Sequence, residues 1–133
     1  MDIQAIRQQL AVNLATISGL RTKDNIPDLV NPPMAVISLE NIAFDGAFNQ
    51  GLTTLQFTIF VVVSRADERT AQRKLNQYVA ATGDYSIKSA VESDRRLNNL
   101  VADLRVRSVT NIGSLQLDDQ EYMAAEFDVV VYV

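Results

Sequence analysis

The chain has 133 residues, enough for one domain with a substantial core, and its 47% apolar and 21% charged residues are ordinary globular composition. It contains no cysteine and no histidine, which excludes disulfides, thiolate chemistry, histidine bases and the commonest metal ligand. A net charge of −4 argues against a nucleic-acid binder, which carries a basic excess to neutralise phosphates.

No apolar run approaches the roughly 18 residues of a membrane span, and MDIQAIRQQL lacks the basic-then-apolar order of a secretory signal. Residues 2–18 predict the first helix, with Ile3, Ile6, Leu10, Leu14 and Ile17 forming one stripe. Such a stripe covers a core or binds a partner. Asp2 is positioned to cap the start and Gly19 to stop the helix. Residues 20–33 form an irregular connection. Pro27, Pro32 and Pro33 forbid helix and favour extended backbone before them. A strand follows over 34–42.

Residues 43–51 carry turn signals at Asp45-Gly46 and Gln50-Gly51 and two aromatics, Phe44 and Phe48. These side chains either reach onto a neighbour or fold back on their own sheet. The longest apolar stretch is 52–64, LTTLQFTIFVVVS, whose β-branched and aromatic residues read as a strand. One face carries Leu55, Phe57, Ile59, Val61 and Val63. The other begins polar, with Thr54, Gln56 and Thr58, and ends apolar, with Phe60 and Val62.

Helical period returns over 64–82, where Ala71, Leu75, Tyr78, Val79 and Thr82 share one side. Ser64 and Asp67 have the spacing of a capping box. A short third helix is expected over 86–93 behind Ser86, then a turn held down by Leu97, Leu100 and Val101. Residues 103–112 predict a strand with Leu104, Val106 and Ser108 opposite Arg105, Arg107 and Val109. A turn is expected over 113–119, and a last strand over 121–133. In that last strand Tyr122, Ala124, Glu126, Asp128, Val130 and Tyr132 share the face away from Phe127 and Val129.

The order of elements predicts an α+β fold. It would be a four-stranded, mainly antiparallel sheet from two long hairpins, with an N-terminal helix and a central helix pair packed on one face. The helices then leave Phe60, Val62, Val130 and Tyr132 on the uncovered face. They are candidates for self-association or docking, unless the first helix or residues 20–33 wrap round to cover them. Arg105 and Arg107 are candidates for contact with an acidic partner or DNA, or for cross-strand pairing with Glu126 and Asp128.

Catalytic patterns are missing. Glu126 and Asp128 share a face but have no other ligand type near them in sequence, and Asp118, Asp119 and Glu121 lack the spacing of a calcium loop. The five glycines are scattered and form no phosphate loop. No catalytic residue, metal ligand or cofactor site is assigned.

The whole-chain pattern resembles the tail terminator, or tail completion, proteins of long-tailed phages, especially those of actinobacteria. Its elements are Ile17-Ser18-Gly19-Leu20-Arg21, Ile26-Pro27-Asp28, Val30-Asn31-Pro32-Pro33-Met34-Ala35-Val36-Ile37 and the phenylalanine loop to Gly51-Leu52. The apolar strand, Ser64-Arg65-Ala66-Asp67-Glu68-Arg69-Thr70-Ala71-Gln72, Gly83-Asp84-Tyr85-Ser86-Ile87-Lys88-Ser89-Ala90-Val91-Glu92, Asn111-Ile112-Gly113 and Glu121-Tyr122-Met123-Ala124-Ala125-Glu126-Phe127 complete it. The resemblance implies one tail-terminator-like domain over residues 1–133 with no catalytic or cofactor site. It implies a six-fold ring of this chain in the virion neck, assembled in the host cytoplasm. That ring would cap the tail-tube protein, stop tube growth and join the head–tail connector or stopper protein. DNA would pass through its lumen without specific contact, and no membrane would be involved. A neighbouring neck or head-closure protein is the alternative within the same class, and a small ligand-binding domain is the distant one.

Overall fold

Two central strands carry Phe57 and Phe127, the largest fully buried side chains. In the computed structural model, which describes residues 2–23, 32–44, 53–67, 69–117 and 119–133, these are β3 (Thr54–Arg65) and β5 (Gln120–Tyr132). The remaining strands are β1 (Arg21–Lys23), β2 (Met34–Ala43) and β4 (Asp103–Leu117). The helices are α1 (Ile3–Leu14), α2 (Ala71–Val79) and α3 (Ile87–Val91), the last followed by a single 3-10 turn, Glu92–Asp94. The fold is α+β.

The sheet has five strands rather than the expected four, in the order β1-β2-β3-β5-β4. The addition is β1, which lies parallel to β2 and pairs Arg21 with Met34 and Lys23 with Val36. The pairs β2–β3, β3–β5 and β5–β4 are all antiparallel. At 15, 13 and 12 residues, β4, β5 and β3 far exceed the five or six residues of an average strand. The region expected as a turn over 113–119 is mostly strand, and Asp119 turns the chain with φ of 65°.

The helices cover one face. Ile6, Leu10, Leu14 and Ile17 meet Ala35, Ile37, Phe57, Ile59, Phe127 and Val129 in the main core, with Leu75, Tyr78, Ile87 and Val91 from the central helices. The alternation expected for β3 holds, since Leu55, Phe57, Ile59, Val61 and Val63 are all buried in this core.

Helix ends follow the sequence where a side chain caps them. Asp2 accepts a bond from the Ala5 N–H at 3.2 Å. Ser86 accepts from the Ser89 N–H at 3.1 Å and donates to the Ala80 carbonyl at 2.6 Å, so its buried hydroxyl is satisfied in both senses. The expected capping box at Ser64 does not form. Ser64 continues β3, its Oγ is buried without a partner, and α2 begins only at Ala71. The first helix ends at Leu14, four residues short of the expected bound, and Gly19 adopts φ of 81° after an intervening turn.

The turn after the 3-10 segment has three successive left-handed residues, Leu97, Asn98 and Asn99, with φ of 47°, 56° and 66°. Asn tolerates this region and Leu does not. The Asp94 carboxylate holds the turn by accepting from the N–H groups of Arg96 and Asn98, and Leu97 is fully buried. Val101 is buried too, whereas Leu100 is 41% exposed and does not anchor the turn as expected.

Asn13 ties this region to α1. Its buried amide donates to the Val91 carbonyl at 3.0 Å and to the Asp94 carbonyl at 3.2 Å, which also accepts the Leu97 N–H. Asn13→Ala removes both bonds from a buried site. It is expected to lower the unfolding free energy by about 2 kcal/mol, as read by urea denaturation.

Candidate assembly surface

The face away from the helices is not the open apolar patch that the sequence predicts. Val62 is fully buried and Val130 is 4% exposed within the single chain. Met34 and Val36 from β2, Val62 from β3 and Tyr122 from β5 form a second, smaller core, with Phe60 and Leu117 packed against it. All six of these residues lie on the sheet itself. Neither α1 nor the described part of residues 20–33 joins this cluster. The pairing of β4 with β5 has two register breaks, and bulges increase local twist.

Val130 lies outside both cores. Its cross-strand neighbours are Gln56 on β3 and Arg105 on β4, so long polar side chains flank it. Tyr132 is half-buried opposite Thr54 and Asp103. Phe44 is 69% exposed just past the end of β2, while Phe48 lies outside the described residues. The structure thus brings Phe60 and Val62 together, and leaves Phe44 apart from them.

The expected pairing of Arg105 and Arg107 with Glu126 and Asp128 does not occur. A register break between Val106 and Ser108 places Arg107 at a bulge, Ser108 opposite Asp128 and Thr110 opposite Glu126. The bulge also turns Val109 toward the main core, with Val106 rather than against it. The two carboxylates have other donors: the Asn111 amide bonds Glu126 at 2.7 Å and the Gln56 amide bonds Asp128 at 3.0 Å. Among the described residues, no group of three or more acidic side chains converges as a metal site.

The outer edge of β4 is where polar chemistry concentrates. Arg95 grips the Asp103 carboxylate with two donors at 2.9 and 3.1 Å and also donates to the Leu104 carbonyl at 3.2 Å. The Arg95 hydrogen bond holds the Asp103 carboxyl below its usual range. Glu92 accepts the Val106 N–H at 3.0 Å through one oxygen and the Lys88 ammonium at 2.6 Å through the other. These two side chains stand in for a neighbouring strand over the first four residues of β4. Beyond Val106, nothing among the described residues bonds that edge. Next to it, Phe60, Asn111, Ile112, Leu115, Ala124 and Glu126 line a groove of about 390 Å³, and Ile112 is 49% exposed.

A second groove, of about 460 Å³, runs beside α2 past Arg73, Gln77 and Tyr85. The Tyr78 and Tyr85 rings stack obliquely near it, 5.9 Å between centres. Burial, with Tyr85 beside it, pushes the Tyr78 hydroxyl up. Neither groove gathers a nucleophile, a base and an oxyanion donor.

No protein-family model matches the chain, and no curated protein matches it in sequence.

The sequence missed the role of Glu92 and Arg95. Its one available signal was an acid three residues before a base ahead of a strand, and nothing local says that both reach a sheet edge.

Two outcomes test this surface. Met34→Ala should cost about 2–4 kcal/mol if the second cluster is a true core, whereas Ile112→Ala should stay within about 0.5 kcal/mol; urea denaturation of both variants measures the contrast. Partial burial raises the Glu92 carboxyl, but the Lys88 hydrogen bond, the Val106 N–H and the charges of Lys88 and Arg95 outweigh it, so the group lies below 4.5. A carboxyl depressed in the fold stabilises it above the unfolded value, and that contribution is lost as pH falls through the folded value. Glu92→Gln should therefore be less stable than wild type at neutral pH and lose that deficit as the pH drops below about 4.5, followed by denaturation across that window.

Proposed function

We propose that this chain is a non-catalytic virion protein, a ring-forming tail terminator that caps the head-proximal end of a phage tail tube. The observation that carries the proposal is the pattern of segments along the whole chain that resembles that family. These segments fall on defined elements: Met34-Ala35-Val36-Ile37 on β2, Ile87-Lys88 at the start of α3, Asn111-Ile112-Gly113 at the second register break of β4 and Glu121–Phe127 on β5.

Two features support a role in assembly over one in chemistry. Named polar side chains cap helices, close turns or cover strand ends, and they form no cluster suited to turnover. Among the described residues, moreover, the sheet ends in a long strand on one side and in a strand paired over three residues on the other. A terminator works by offering one surface to the last tube ring and another to the head connector. Its tasks are shape complementarity and exclusion of further subunits, which a closed ring performs without a cofactor. The net charge of −4 suits a channel through which DNA slides, since like charges do not adhere.

Removing the gene from the phage that encodes it tests the proposal by electron microscopy of the particles. Tails of uncontrolled length, detached from heads, are the expected result. Tails of normal length beside unattached heads would overturn the terminator and favour a neck connector.

A further inference from the structure

Among the described residues, the two edges of the sheet lack a neighbouring strand in complementary places. On β4 the first residues are covered by Arg95 and Glu92. From Val109 to Leu117 the strand then has no charge and no proline, and Thr110, Asn111, Ile112, Ser114 and Gln116 are exposed. Natural edges of this length are usually blunted by charge, proline or a covering element, because unpaired N–H and C=O groups template another strand. On the opposite edge, β1 covers β2 only from Met34 to Val36. Among the described residues the outer edge of β2 from Ile37 to Ala43 has no strand beside it.

Strand direction makes the two edges compatible. Because β2–β3, β3–β5 and β5–β4 are all antiparallel, β2 and β5 run one way and β3 and β4 the other. When two copies point the same way, β4 of one therefore lies antiparallel to β2 of the next, and the up-down alternation continues across the seam.

The open stretches are also displaced along the strands. Met34 is level with Val62, Ala124 and Gly113, whereas Ala43 is level with Thr54, Tyr132 and Asp103. The open part of β4 lies toward the first end and the open part of β2 toward the second. Matching them slides each copy along the strand axis relative to its neighbour. A sheet that closes on itself requires such a stagger, because its strands tilt to the axis of closure.

We propose that the open stretch of β4, around Thr110 to Gln116, pairs antiparallel with the open stretch of β2, around Ile37 to Ala43, in a second copy of this chain. The contact is heterologous: each copy offers β4 to one neighbour and β2 to the other, so it closes into a ring or runs on as a filament, and does not stop at a dimer. It carries the exposed Phe44 at the end of β2 onto the neighbour's β4. This seam deepens the ring reading and relies on it for closure, while the strand pairing itself stands apart from any role in tails.

The absence of native cysteine permits a direct test. Asn41→Cys is combined in turn with Thr110→Cys, Ile112→Cys and Ser114→Cys, all at exposed positions, and the purified chains are oxidised at high concentration. Within one chain β2 and β4 are three strand spacings apart, about 14 Å, too far for a disulfide. The expected result is a ladder of covalent multimers from at least one pair on a non-reducing gel, collapsing to monomer on reduction. No multimer from any of the three pairs would overturn the seam. So would dimers from Thr110→Cys, Ile112→Cys or Ser114→Cys alone that match the yield of the pairs, because these mark β4 meeting β4. A ladder combined with tails of normal length after gene removal would keep the seam and reject the terminator.

Discussion

The structure depends on the register between β3 and β5. Phe57 lies opposite Val129, Ile59 opposite Phe127 and Val61 opposite Ala125, and all six are buried under the helices. Side chains alternate across a strand, so a slip of one residue would send this set to the other face and bring Thr58 and Asp128 into the core. The burial of those apolar side chains fixes the register, and the register then places everything on the second face. Phe60 and Val62 join Met34, Val36 and Tyr122 there, while Gln56 and Asp128 meet in a hydrogen bond farther along.

What was legible in the sequence is what a single period expresses. The stripe of α1, the alternation of β3 and the Ser86 cap each follow from spacing or from one side chain, and each is found. Features that depend on a partner strand were not legible. The three residues of β1 are Arg-Thr-Lys, with no apolar alternation, and they become a strand only because β2 lies beside them. The bulge near Arg107 shifts the parity of β4, so Val109 turns inward where strict alternation sent it out. Burial of Val62 and Val130 on the second face was not legible either. Leu117 was expected in a turn, yet it lies on β4 and packs against the cluster of Met34, Val36, Val62 and Tyr122.

Polar groups serve order more than reactivity in this molecule. Asn13 satisfies two carbonyls at the end of a helix, Asp94 holds a left-handed turn, and Glu92 and Arg95 dress the start of an edge strand. The last pair also occupies the outer edge of β4 at Leu104 and Val106. Among the described residues they cover the first part of β4, and β1 covers the first part of β2. Each cover is placed near one end of the sheet and on opposite edges, which gives the two edges a direction as well as a location.

The strand order carries a consequence for the nascent chain. Strand β5 is the last of the five in sequence, yet it lies between β3 and β4. Until it emerges from the ribosome, β2 and β3 can form a hairpin, but Phe57, Ile59 and Val61 lack their partners on one side and β4 has nothing to pair with. The sheet is therefore completed by insertion into its middle and not by growth at its edge. Such non-local pairing slows folding and lengthens the time for which apolar strand edges stay bare. A protein translated in many copies at once inside one cell meets its siblings during that interval, so the strands that finish the fold must find their own chain before they find another.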